Sequence, residues 1–121
     1  MINDNKIKTG KLGEKLATSF LVQKGLKILD KNYYTRYGEI DLIAQDGDQI
    51  LFFEVKARTS SEYGFPEIAV DQEKIQHLTK AISIYLRDKK IDNFWRLDII
   101  SVELDKDSHQ AQLRWFKDIT S

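Results

Sequence analysis

Two runs rich in β-forming residues, 39–45 (EIDLIAQ) and 49–58 (QILFFEVKAR), are separated only by Asp46, Gly47 and Asp48, and this spacing constrains the chain more than any other feature. Asp-Gly is a strong hairpin signal, because glycine takes the positive φ of a tight turn at no steric cost. Strand residues alternate faces, so Leu51, Phe53, Val55 and Ala57 form one apolar face while Phe52, Glu54, Lys56 and Arg58 lie opposite. In the first run Ile40, Leu42 and Ala44 share one face, and Glu39, Asp41 and Ile43 share the other. A two-residue turn at Asp46-Gly47 sets Asp41 across from Phe52 and diagonal to Glu54, whereas a four-residue turn sets Asp41 directly across from Glu54. Either register brings Asp41, Glu54 and Lys56 onto one face. A three-residue loop separates them unless a bulge restores the alternation.

The elements around the hairpin follow from periodicity. Leu12, Leu16, Ala17, Phe20 and Leu21 have the spacing of one buried helical face, which predicts a helix over 8–24 with Gly25 as its C-cap. Glu14 falls on the rim of that face, beside a stripe of Lys8, Lys11 and Lys15. Residues 26–34 read as a strand. After Ser60, Ser61 and Gly64-Phe65-Pro66, a second helix is expected over 71–88, with Asp71 as N-cap and Ile75, Leu78, Ile82, Tyr85 and Leu86 on its apolar stripe. Strands over 94–104 and 110–117 complete the order αβββαββ. A strand–helix–strand unit allows a parallel crossover, so the expected architecture is α/β, a mixed five-stranded sheet flanked by helices. The 121 residues fit one domain, 1–121, with no internal repeat and no linker.

Composition narrows the chemistry. The absence of cysteine excludes a disulfide framework, a thiolate zinc site and a thiol nucleophile. No stretch approaches the roughly 20 apolar residues of a membrane span, and no signal-peptide run is found at the N-terminus, so a cytoplasmic location without membrane partners is expected. The formal net charge is zero, yet residues 1–36 carry eight Lys or Arg against three acids. Such a split suits a chain with one face toward an anion, or simply a solvated surface.

Two carboxylates a cross-strand distance apart repel unless a cation lies between them, and hard oxygen ligands suit Mg2+ or Mn2+. A divalent ion can polarise a phosphoryl oxygen and activate water, and the adjacent ammonium of Lys56 can orient that water or balance developing charge. Asp41, Glu54 and Lys56 thus form a minimal set for metal-assisted phosphodiester hydrolysis. The alternative is that they are the solvent face of an amphipathic hairpin. Ile43, Ile50 and Phe52 on the same face count against it, as does a central Asp, a poor strand former.

Gly38-Glu-Ile-Asp41-Leu-Ile-Ala, then Phe53-Glu54-Val-Lys56-Ala-Arg58, preceded by Gly10-Lys-Leu-Gly13-Glu14-Lys-Leu-Ala17, resembles the YraN-like family of small bacterial proteins. The resemblance extends to Arg96-Leu-Asp98-Ile-Ile and so covers most of the chain. That family is similar to restriction-endonuclease-like nucleases with the PD-(D/E)xK signature, including archaeal Holliday-junction resolvases, although Ile40 stands where the signature has proline. The resemblance implies a restriction-endonuclease-like fold in which Asp41, Glu54 and the Val55 carbonyl bind metal, Lys56 is the catalytic lysine and Glu14 is an additional acid. It further implies a DNA endonuclease, with branched DNA as one substrate class; the stripe of Lys8, Lys11 and Lys15, together with Arg58, is expected to contact nucleic acid. Junction cutting would favour a homodimer that places two sites symmetrically. The rival reading is a non-catalytic nucleic-acid-binding or protein-interaction module, for which the zero net charge is the best support.

Other candidates carry less. His77 and His109 lack metal-ligand partners at helical spacing and read as surface histidines. Ser60 and Ser61 lack a nucleophile elbow. Gly10 and Gly13 are too sparse for a phosphate loop and read as sites of close packing or of backbone approach to DNA. Lys74, in the first turn of the second helix, could reach a phosphate but reads first as a solvated lysine, and Arg96 and Asp98 read as a mutual pair.

Overall fold

The computed structural model describes residues 4–60 and 71–120; the break expected around Ser61 and Gly64-Phe65-Pro66 lies outside them. The elements are α1 (Asp4–Gln23), β1 (Lys27–Thr35), β2 (Gly38–Asp46), β3 (Gln49–Ser60), α2 (Gln72–Asp88), β4 (Trp95–Asp105) and β5 (Ala111–Phe116), the expected order. The five strands form one sheet in the order β1-β2-β3-β4-β5, antiparallel throughout except for the β3–β4 pair, which is parallel. That parallel pair needs a crossover, and α2 supplies it.

Each face of the sheet is covered by one helix. Ala17 and Leu21 of α1 pack with Leu42, Ala44, Leu51, Phe53, Ile100 and Val102. On the other face Leu78, Ala81, Ile82 and Tyr85 of α2 pack with Ile40, Ile43, Ile50, Phe52 and Leu97. The hairpin is therefore buried on both sides, and the face that carries Glu54 is not a solvent face.

Local chemistry explains the ends of the helices. At the end of α1, Gly25 N–H donates to the Val22 carbonyl and Leu26 N–H to the Leu21 carbonyl, the paired bonds of a Schellman cap. Asp71 caps α2, its Oδ1 accepting from the N–H groups of Glu73 and Lys74. The start of α1 at Asp4 rather than near Lys8 has no apolar periodicity to announce it. Gly13 sets how near α1 lies to the sheet, because a Cβ built there would fall 2.3 Å from the Ala57 Cβ of β3. No side chain larger than hydrogen fits at that distance.

The hairpin closes differently from either simple expectation. Asp46 pairs with Gln49, so the loop is Gly47-Asp48, with Gly47 at φ 61° in the first loop position. This is a shorter turn than the four-residue one, yet it sets the register that points Asp41 at Glu54. The paired residues of the β2–β3 ladder nearest that point are Leu42 and Phe53. Ile40 joins the cluster under α2 rather than the face of Leu42 and Ala44, so the expected alternation breaks at Asp41. At the same point the ladder with β3 ends, and the Asp41 carboxylate accepts the Val55 N–H at 2.7 Å. Away from this point Asp98 is fully buried. It accepts from Arg96 Nε and Nη2, from Trp115 Nε1 and from the Asp118 N–H, all at 2.8 Å, and so ties β4 to the C-terminal segment.

Candidate metal centre

Where β2 leaves the β3 ladder, three carboxylates from α1 and β2 gather, and a fourth, from β3, is near enough for its charge to act on one of them. Glu39 and Asp41 come from β2, two residues apart, Glu14 reaches over from α1, and Glu54 comes from β3. Carboxylate oxygens of Glu14, Glu39 and Asp41 lie within 4.8 Å of one another. Asn32, left-handed at φ 50° on β1, donates through Nδ2 to Glu14 at 2.7 Å and to Glu39 at 2.6 Å. One neutral amide thus holds two acids in place, and Asn is among the few residues that tolerate this backbone.

The electrostatic consequence falls on Asp41. Burial pushes its carboxyl up to about 7 from an ordinary 3.8; the Val55 N–H bond works against the rise, and the charges of Glu39, Glu14 and Glu54 add to it. Glu54 is mostly buried and is met by the half-exposed ammonium of Lys74, from the first turn of α2. That bond holds the Lys74 pKa above its usual value.

The residues singled out from the sequence fall into distinct groups. Glu14 and Asp41 lie in one carboxylate group with Glu39, whereas Glu54 stands outside that group, paired with Lys74 and acting on Asp41 through its charge. Lys56 is exposed and shares the parity of Glu54 along β3, while Val55 stands between them with its N–H on Asp41. Since the N–H and C=O of a strand residue point to the same edge, the Val55 carbonyl faces the gap that Asp41 enters. Lys8, Lys11 and Lys15 are exposed along α1. Arg58 is spoken for by Glu103, with Nε at 2.7 Å from Oε1, so its charge is already balanced within the protein. Three participants were not expected: Glu39, which i, i+2 spacing from Asp41 could have flagged; Asn32, which only the β1–β2 register sets opposite Asp41; and Lys74, which is not merely solvated. His77 and His109 are exposed, as expected.

Hard oxygen donors at this spacing, one of them raised in pKa chiefly by burial, are the kind of ligand set that suits a small divalent cation rather than a soft metal. Beside them a groove of about 430 Å³ runs between the β1–β2 turn and α2, lined by Tyr37, Gly38, Glu39, Lys74, His77 and Leu78 among others.

Fold and site define an α/β chain with a mixed sheet between two helices and a carboxylate cluster at the parting of two strands. The chain belongs to the uncharacterised protein family UPF0102, whose family model matches residues 13–102. That stretch holds all four acids, Asn32, Lys56 and Lys74, but not Lys8 or Lys11. Relatives include UPF0102 proteins of Syntrophus aciditrophicus, 43% identical over 108 residues (88% of this chain, 85% of that one), and of Thermodesulfovibrio yellowstonii, 44% identical over 104 residues (86% and 93%). A third, from Syntrophomonas wolfei, is 50% identical over 78 residues, 64% of this chain and 68% of the relative. Among the described residues no helix is long and apolar enough to cross a membrane.

Proposed function

We propose that this chain is a Mg2+- or Mn2+-dependent DNA endonuclease of restriction-endonuclease-like fold, with branched DNA as a substrate class. The observation that carries the reading is Asp41, a partly buried acid hydrogen-bonded to the β3 backbone amid three further carboxylates. Structural acids are ordinarily paired with cations, and crowding like charges costs stability unless a ligand repays it.

Asp41, Glu54 and the Val55 carbonyl would hold the ion, with Glu14 and Glu39 close enough to complete or tune its shell. The ion supplies charge neutralisation at the scissile phosphate and makes water a nucleophile near neutral pH. Lys56, exposed beside Glu54, orients the attacking water and balances the negative charge that grows as the P–O bond breaks. Asn32 keeps Glu14 and Glu39 aimed into the site. Lys8, Lys11 and Lys15 offer phosphate contacts along α1, with a second copy of the chain serving the opposite strand of a junction.

The test is incubation of purified protein with linear, nicked and four-way DNA, with Mg2+ or with EDTA. Parent protein should cut at least one substrate in Mg2+ alone, and Glu54→Gln should cut none. If no substrate is cut although metal binds, the non-catalytic module, favoured by the net charge of zero, becomes the better reading.

A further inference from the structure

Lys74 sits at a junction that the proposed chemistry leaves unused. Its ammonium is bonded to Glu54, a residue assigned to the metal, while its stem lines the groove between the β1–β2 turn and α2. Its backbone is fixed, because its N–H is one of those capped by Asp71 in the first turn of α2. Its side chain is not, being about half exposed (53%) against 10% for Glu54. A flexible cation anchored at its root can therefore move from one anion to another without disturbing the helix.

Resting on the metal-site reading, we propose that Lys74 is a built-in countercation for Glu54 that a divalent ion displaces, and that the released ammonium then binds a phosphate of the DNA strand in the adjoining groove. Glu54 cannot give its full charge to lysine and metal at once, so the two cations compete for it. The second destination is a groove of mixed charge, with Glu39, Asp71 and Glu73 in its lining beside Lys74 and His77. Tyr37 forms one wall and packs against the core cluster under α2, and Arg36 and Lys80 lie over its ring at 5.0 and 5.3 Å, so positive charge gathers on that side. A backbone phosphate next to the scissile one matches these cations, with the Lys74 ammonium as its nearest new partner. Metal and DNA binding become coupled through one side chain: the ion that completes the site also frees a hand for the substrate.

Calorimetric titration with Mn2+, on parent protein, Lys74→Met and Lys74→Gln, tests the exchange. Methionine keeps much of the stem, and glutamine guards against loss of folding in the first variant. Removing the competitor should tighten Mn2+ binding roughly two- to fivefold, the scale of a partly exposed ion pair. Affinity for four-way DNA in Ca2+ should move the opposite way, weakening severalfold. Equal or weaker Mn2+ binding by both variants overturns the exchange while leaving the metal site standing. Mn2+ binding by neither parent nor variants overturns the exchange and the metal-site reading together. Tighter metal with unchanged DNA affinity overturns the phosphate role.

Discussion

Asp41→Asn separates a strained functional acid from a structural one. The carboxyl titrates near 7 when folded and near 3.8 when unfolded, so between those values the folded chain binds more protons. Folding is then favoured at low pH, and Asp41 costs progressively more stability as pH rises through about 7. From pH 5 to pH 8 this cost should grow by on the order of 3 kcal/mol, at about 1.4 kcal/mol per unit over the titrating span. Asparagine has no proton to lose, nearly the same shape, and an oxygen that can still accept from Val55. In EDTA, the variant should be only modestly more stable than the parent at pH 5, and its advantage should widen by about 3 kcal/mol at pH 8, roughly 10 °C in melting temperature for a chain of this size. Denaturant unfolding at the two pH values, with unchanged m, reads this directly. A variant less stable than the parent at pH 8, or an advantage that does not grow with pH, would refute the claim that Asp41 is buried at a cost.

Three further outcomes follow from the geometry. Gly13→Ala should destabilise by about 1–3 kcal/mol or more in spite of the roughly 1 kcal/mol that alanine adds to a helix, because its Cβ collides with Ala57; Ala57→Gly in the same chain should restore most of the loss, checked by thermal unfolding. Lys56→Ala should keep or slightly raise metal affinity yet slow cleavage by roughly a hundredfold or more, with DNA binding in Ca2+ much less affected, as a transition-state role requires. Replacing Lys8, Lys11 and Lys15 together by alanine should lower the salt slope of log affinity for duplex DNA by about 0.9 per lost phosphate contact, measured by fluorescence anisotropy at several salt concentrations; an unchanged slope would move the binding surface elsewhere.

What could be read from the sequence was local. Alternation and the Asp-Gly signal located β2 and β3, and helical periodicity with Asp71 located α2, because burial against a single layer leaves its mark every two or every three to four residues. Asp41 and Glu54 stood out as acids in strongly patterned strands and Glu14 through its rim position and the family resemblance, yet the acid that joins Glu14 and Asp41 most closely is Glu39, not Glu54. The register was less so: Gly47-Asp48 closes the hairpin, and the alternation breaks at Asp41 so that Ile40 joins the cluster under α2, neither of which alternation alone records. Asn32 and Lys74 were illegible as site residues because their contacts are set by sheet order and by where the crossover helix lands. Arg58 shows the converse. Its place in the motif suggested a phosphate contact, but the parallel β3–β4 register puts Glu103 beside it.

The central claim is that Asp41 holds a divalent ion, and Mn2+ titration calorimetry on the parent and on Asp41→Ala, in two buffers of different ionisation enthalpy, tests it most directly. Because Asp41 must lose its proton to bind metal, the parent should take up Mn2+ with release of roughly one proton at pH 6 and little at pH 8. Asp41→Ala should show no saturable binding at either pH. Equal Mn2+ binding by parent and variant, or binding by neither, would contradict the account.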